Sequence, residues 1–348
     1  MVHIGDCVGA RQAVIKALIG AVLLLVCVAV FGQQPPMRAV EMESAAKQHS
    51  TAGNHAAALP LREGALRLLE QTLGQEHIDI TPYMLNLADT HAFLGNFEQT
   101  LILNARALAI REKVLGLEHL DTAQALGDLG MSYWALGQPD KALPLQMRAL
   151  AIYEKSAGQD ALKALARQSL ATTYSALGNY DKALPLQIQL LAFIEQVYGD
   201  GSINTLEVLN GLATTFTRLS RPTQALPLQI RALAIVEKAV GPEHADTARA
   251  LVDLASTYST LAQHDKSLSL QIRGVSIFEK ILGLDNGETI FEVETLARTY
   301  SIIGQHDKAL TLQIRVLAFI EETFGDEIPH KTRALDDLAT TYLNLDSA

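Results

Sequence analysis

Seven copies of one 42-residue unit constrain this chain more than any other feature of it. The stretch Ala225 to Gly241, ALPLQIRALAIVEKAVG, has relatives whose first residues are Ala58, Thr100, Ala142, Ala183, Ala225, Ser267 and Ala309. Their spacings are 42, 42, 41, 42, 42 and 42 residues. A fixed period of this size marks a stacked architecture, because one supersecondary unit cannot bury its apolar face alone and must lean on its neighbours.

Within each copy, leucines follow one and three residues after the anchor, as at Leu226 and Leu228, and a third large apolar residue comes at eight, as at Leu233. Such spacings place apolar side chains on one helical face. A glycine closes every copy (Gly74, Gly116, Gly158, Gly199, Gly241, Gly283 and Gly325), where a left-handed residue ends a helix. Pro60, Pro144, Pro185 and Pro227 lie two residues after their anchors, a place read here as a first helical turn, where a missing N–H costs nothing. Upstream of each anchor runs a second pattern: a large residue thirteen back (Leu254), a tiny one twelve back (Ala255), an aromatic or histidine nine back (Tyr258, or His49 and His91) and a turn residue five back (Gly137). Two antiparallel helices per repeat follow.

The order Leu-Ala-x-x-Tyr-x-x-Leu-Gly, with alanines at the anchor and seven residues later (Ala142 and Ala149, Ala225 and Ala232), resembles the tetratricopeptide repeat. The period of 42 and the junction Gly241-Pro-Glu-His-Ala-Asp-Thr-Ala248 are similar to the variety found in kinesin light chains and bacterial repeat proteins. The resemblance implies an all-α right-handed solenoid: seven helix pairs over residues 44–325, then a capping helix in 326–348. A truncated reading frame is the alternative to the cap. One departure stands out: Gln146, Gln187, Gln229, Gln271 and Gln313 occupy a place, four after the anchor, that is usually aromatic in the family. The repeat beginning near Asp160 is one residue short and carries Arg167 where others have leucine, which predicts a local irregularity.

Residues 1–32 place Arg11 and Lys16 ahead of the apolar run Ala17 to Gly32, the pattern of a signal peptide. An uncleaved anchor is the alternative, although the run is shorter than the roughly 20 residues that span a bilayer. Either way the repeats would be exported, periplasmic or extracellular, with any membrane contact confined to this segment. Residues 33–43 read as a polar lead-in. The two cysteines, Cys7 and Cys27, both lie in the leader, so the remainder can form neither a disulfide nor a cysteine metal site. Net charge is −10, and removing Asp6, Arg11 and Lys16 with the leader makes it −11, which disfavours nucleic acid as a partner.

The chain carries no HExxH, GxSxG, GxxxxGK[ST] or GxGxxG sequence. Its histidines sit at repeat positions, the recurring Glu112, Glu154, Glu195, Glu237, Glu279 and Glu321 read as a solvated or salt-bridged face, and Arg106, Arg148, Arg231, Arg273 and Arg315 read as surface residues pairing with nearby carboxylates. No catalytic residue, cofactor or metal is expected. By resemblance the first helices line the concave side of the solenoid, which gives a peptide groove of Asp89, Phe93, Met131, Trp134, Thr172, Ser175, Asn210, Thr214, Thr217, Arg218, Ser256 and Arg298. Hydroxyls there would bond a peptide backbone while Phe93, Met131 and Trp134 form an apolar end. The expected function is a non-enzymatic scaffold for a protein or peptide ligand. The alternatives are a regulatory or sensory subunit of an enzyme complex whose catalytic domain is on another chain, and a cytoplasmic kinesin-light-chain-like adaptor.

Overall fold

The computed structural model describes residues 36–325 and 328–346. The expected leader lies outside the described residues, and among these no helix is long and apolar enough to cross a membrane. Fifteen α-helices follow one another with no strand among the described residues. They fall into two compact units that meet in sequence at Gln159 and Asp160, where the short repeat begins.

The first unit holds three helix pairs: α1 (Met37–Thr51) with α2 (His55–Leu73), α3 (Thr81–Phe93) with α4 (Phe97–Leu115), and α5 (Leu120–Ala135) with α6 (Pro139–Lys155). The second holds four pairs and a final helix: α7 (Asp160–Ala176) with α8 (Tyr180–Tyr198), α9 (Leu206–Arg218) with α10 (Pro222–Val240), α11 (Ala245–Thr260) with α12 (His264–Leu282), α13 (Gly287–Ile302) with α14 (His306–Phe324), and α15 (Ile328–Asp346). Within each unit every helix packs on the next in sequence.

Small residues set how closely these helices approach. The anchors Ala58, Ala142, Ala183, Ala225 and Ala309 are fully buried, as are Ala88 and Ala255 on the facing helices. Between them sit Leu69, Met84, Leu126, Leu209, Leu251 and Phe278, each almost wholly removed from water. Each such side chain contributes about 1.5–3 kcal/mol of burial free energy.

Two expectations about boundaries need correction. The polar lead-in ends early: residues 37–43 already belong to α1, because Ala39 and Ala46, seven apart on one face, are both buried. The internal prolines are not in first turns. Pro60, Pro144, Pro185 and Pro227 are each the sixth residue of their helix, since those helices start three residues before the anchor. All four are exposed, so the carbonyl each leaves without an N–H partner faces water.

Capping follows the repeat. At the junctions His77, His119 and His244 accept a hydrogen bond at Nδ1 from the backbone N–H two residues on, and Ser202 and Asn286 do the same with side-chain oxygens. This accounts for the junction histidines by chain geometry. All seven closing glycines have positive φ, between 60° and 97°.

The outer side carries a repeated clamp. Arg106, Arg148, Arg231, Arg273 and Arg315 each reach back one repeat to a glutamate (Glu70, Glu112, Glu195, Glu237 and Glu279). The pairs Arg106–Glu70, Arg231–Glu195 and Arg273–Glu237 measure 2.5, 2.5 and 2.6 Å. Each arginine also donates to the backbone carbonyl just after the preceding repeat's closing glycine, at Gln75, Leu117, Asp200, Pro242 and Leu284. One guanidinium thus holds a helix end and its junction together, a two-acceptor geometry that lysine could not reproduce. Lys113, Lys155 and Lys280 add pairs to Glu76, Glu118 and Glu243.

The turns between paired helices need a left-handed residue too. Glycine supplies it at Gly53, Gly95, Gly137, Gly178 and Gly304, but Ser220 (φ 57°) and Ala262 (φ 56°) adopt it with a Cβ. A left-handed Cβ costs roughly 1–2 kcal/mol, part of which glycine's greater freedom in the unfolded chain takes back. Ser220→Gly and Ala262→Gly are each expected to stabilise the fold by about 0.5–1 kcal/mol, measured by urea unfolding. A loss of stability in both would contradict this account of the turns.

Candidate functional site

The face of each first helix turned away from its paired helix is where side chains are free to meet a partner. In the first unit, α3 brings Asp89 and Phe93 to this face and α5 brings Met131 and Trp134. Phe93 is 72% exposed, Met131 47% and Trp134 40%. Phe93 is held by a neighbour: its ring stacks on His55 at the start of α2, centroids 4.2 Å apart and planes 10° from parallel. Met131 and Trp134 have no such engagement and stand one helical turn apart on α5.

In the second unit, Asn210, Thr214, Thr217 and Arg218 from α9 and Ser256 from α11 line one pocket of about 500 Å³. The pocket gathers five residues named from the sequence and adds Gln229 from α10 with Asp253 and Thr257 from α11, which sequence reasoning missed. Thr172 and Ser175 stand on α7, outside this pocket. Arg298 also lies apart. It pairs with Glu294 at 2.9 Å and borders a small cavity of about 80 Å³ shared with Ser301, Gln313 and Asp337.

The polar residues four after each anchor explain the floor of this face. Arg62, Asn104, Gln146, Gln187, Gln271 and Gln313 are buried where an aromatic would have packed. From that place Asn104 donates to the Asp128 carbonyl at 3.2 Å, Gln229 to that of Asp253 at 3.3 Å and Gln313 to that of Asp337 at 3.2 Å. Arg62 donates likewise to the Asn86 carbonyl at 2.8 Å and to Thr90. Each bond runs from one repeat's second helix to the next repeat's first helix, 24 residues on. At Arg62, Asn104, Gln229 and Gln313 the substitution therefore exchanges a ring for a directed bond between repeats, whereas both amide atoms of Gln146 are buried without a hydrogen-bond partner.

Carboxylates collect on the same face; in the first unit the charge of Arg62 reaches Asp89 and that of Arg111 reaches Asp128. Asp128 on α5 and Asp89 on α3 form no ion pair or hydrogen bond through their carboxyl oxygens with any described residue. Burial, and then the negative charge of Asp89, push the Asp128 carboxyl up to about 7, with Arg111 acting in the opposite direction. Burial also raises Asp89. In the second unit, burial raises Asp253 and lifts Glu292 of α13 to about 7, with Asp253 and Glu288 adding to it. The nearby arginines are engaged elsewhere: Arg111 with Thr81, the Asp121 carbonyl and Gln124, and Arg62 with Glu43. Among the described residues no group of three or more histidine, cysteine or carboxylate side chains could hold a metal ion.

A family model described as tetratricopeptide repeat matches residues 80–155, 162–227 and 209–280, and a second model with that description matches 294–330. Among solved structures, a putative kinesin light chain of Podosopora anserina with nearly identical TPR-like repeats is 23% identical with a TM-score of 0.53, covering 59% of this chain and 98% of its own. BtubC (BKLC) from P. vanneervenii is 21% identical with a TM-score of 0.53, covering 70% and 92%. The tetratricopeptide-repeat STAND ATPase PH0952 of Pyrococcus horikoshii is 16% identical with a TM-score of 0.60, covering 87% of this chain and 46% of its own. These likenesses speak to the fold alone. A search of curated proteins found no match.

The raised Asp128 carboxyl has a measurable consequence. The folded chain holds that proton more tightly than the unfolded chain does, so the contribution to stability is greatest below the ordinary value of 3.8 and erodes as pH rises through about 7. The charged groups acting on Asp128 are Asp89 on α3 and Arg111 on α4, while Tyr153 on α6 is raised by burial first and then by Asp128. Asp128→Asn cannot ionise. It should be more stable than the native chain by about 1–2 kcal/mol at pH 8, after allowance for partial exposure, with the advantage fading towards pH 4. Thermal melts of both proteins across that range would refute this if the difference stayed constant.

Proposed function

Because the chain belongs to the tetratricopeptide-repeat family, whose model matches more than half of it, we propose that it is a non-catalytic scaffold that binds a partner polypeptide on the open face of its first helices. The observation that carries this reading is the pocket in the second unit. Five residues that the family resemblance assigned to the groove line one cavity of about 500 Å³, a size that takes several residues of an extended chain. Its lining is almost wholly polar: two amides, four hydroxyls, Arg218 and Asp253 around a single alanine. Such groups suit a peptide backbone, whose N–H and C=O must each find a partner when removed from water. The outer side offers less, because its glutamates and arginines are already paired with one another.

Export is part of the same proposal. It rests on the basic head and apolar run of residues 1–32, and a mature N-terminus beginning near Gln33 in the mass spectrum of the secreted fraction would support it.

The binding face is tested with a photoreactive amino acid placed at position 214 on the open face of α9, or at position 230 on the outer side of α10, where Ile230 is 46% exposed. Cross-linked partner is expected from 214 and not from 230. Arg218→Ala should weaken that partner's binding by about tenfold, roughly 1.4 kcal/mol. Capture from 230 alone would overturn the reading.

A further inference from the structure

The last helix offers a surface that the earlier first helices keep covered. α15 packs on α14, and Arg333 ties it to Glu294 of α13 at 3.0 Å. On that side it is complete: Thr341 is as buried as Thr215, Thr257 and Thr299, which hold the same place one residue before the aromatic slot. The other side is open. Seven residues before the slot, Met84, Leu126, Leu209, Leu251 and Val293 are fully buried, whereas Leu335 is 43% exposed. Three before it, Ala88, Ala213, Ala255 and Ala297 are buried, whereas Ala339 is exposed. Tyr342, in the slot itself, is 48% exposed.

In the earlier repeats the paired second helix covers these places. Thr100 and Ser267, anchors of α4 and α12, donate to the carbonyls of Ala88 and Ala255 at 3.2 and 2.8 Å, so the anchor rests directly against the small residue. The lysine before the anchor lies over the aromatic ring: Lys266 is 5.2 Å from the Tyr258 centroid and Lys308 is 5.3 Å from that of Tyr300. Tyr342 has no such cation among the described residues.

We propose that the open side of α15 is a docking site for an amphipathic helix of a partner polypeptide that carries this chain's own second-helix pattern. That pattern is a small anchor residue with lysine before it, leucines one and three after it and arginine six after it, as at Ala309. The site is separate from the open face of the first helices, and either assignment can fail without the other.

Two observations besides the repeated precedent name this occupant. Leu335, Ala339 and Tyr342 are spaced by four and three residues, a helical stripe with a small residue at its centre. Such a stripe receives another helix at close range, and the two-residue period of an extended chain does not match it. The charge at its edge fits as well. Arg315 of α14 reaches back to Glu279, and one repeat on the same place is held by Glu321, whose side chain is half exposed and meets Lys331 at 3.0 Å. A helix docked in register brings its arginine to Glu321 as Arg315 comes to Glu279. A second copy of this chain is a poorer occupant. Its second helices are already packed in pairs, and six residues after the two alanines of α15 stand Thr340 and Leu345 where the pattern has arginine.

The test uses the full chain and a fluorescein-labelled peptide with the sequence of residues 306–324, HDKALTLQIRVLAFIEETF, in an anisotropy titration. It is expected to bind about tenfold tighter than a scrambled peptide of the same composition. Ala339→Leu, which puts a large side chain where the two backbones would approach, should abolish that preference. Its thermal melt should match that of the native chain, because Ala339 is exposed. A peptide with glutamate in place of its arginine should bind about fivefold more weakly, and the difference should shrink in Glu321→Gln. A photoreactive amino acid at position 335 should label the peptide, and one at position 214 should not. Equal binding of the scrambled peptide, full affinity in Ala339→Leu or labelling from position 214 alone would overturn the proposal. So would sedimentation of the unliganded chain as a dimer that Ala339→Leu converts to monomer, since a second copy would then hold this side of α15.

Discussion

Close approach between neighbouring helices is the constraint from which the other features follow. Fully buried alanines at the anchors and on the facing helices let backbones come together without intervening side-chain bulk, and the large residues fill the space on either side. Helices brought this near must also satisfy the polar groups trapped between them. Four residues after the anchor, Arg62, Asn104, Gln229 and Gln313 donate from one repeat to a backbone carbonyl of the next. An apolar contact fixes distance but tolerates sliding, whereas a bond to a named carbonyl fixes register. The guanidinium clamp repeats this on the outer side, where each arginine reads both a glutamate and the carbonyl that follows a closing glycine.

Much of this was legible in the sequence because it is periodic. Seven anchors at 42-residue spacing, a glycine at every closure and alternating Leu-Ala-Tyr patterns specify paired helices by local rules that need no knowledge of the neighbours. The arginine and glutamate rows were recognisable as recurring surface positions for the same reason, and the structure shows that they pair with each other. What escaped was whatever depends on where a helix begins in space. Pro60, Pro144, Pro185 and Pro227 were read as first-turn residues, but the helices start at His55, Pro139, Tyr180 and Pro222, one turn before the apolar pattern does. Tertiary packing extends them, and the prolines remain because they face water. In the same way α1 begins within a segment whose composition is polar, since a buried alanine every seventh residue is too sparse a signal to read alone.

The open face was legible in register and not in chemistry. The family resemblance placed Asn210, Thr214, Thr217, Arg218 and Ser256 on one face, and these line one pocket. Counting could not show that Gln229 supplies its floor, because a glutamine in an aromatic slot reads as a packing defect until its carbonyl partner is seen. Nor could it distinguish paired from unpaired carboxylates. Glu70, Glu112, Glu195, Glu237 and Glu279 recur with matching arginines, so their role repeats with them. Asp89 and Asp128 do not recur as a pair, and only their shared surroundings show that they press on each other.

Departures from the period carry information of their own. The fourth copy is one residue short, has Arg167 in place of a core leucine and places Gln189 where Arg106, Arg148, Arg231, Arg273 and Arg315 stand in other copies. The chain divides into its two compact units at the start of this same copy, between Gln159 and Asp160. In a stack stabilised by nearest neighbours, cooperativity passes from repeat to repeat only through the contacts each junction encodes. The same absence of a strict repeat allows first helices to diverge: α5 exposes Met131 and Trp134, whereas α9 and α11 line their pocket largely with hydroxyls. Uniform scaffolding and different surface chemistry coexist because the residues that hold the stack together and those that face outward from it occupy separate positions of the 42-residue unit.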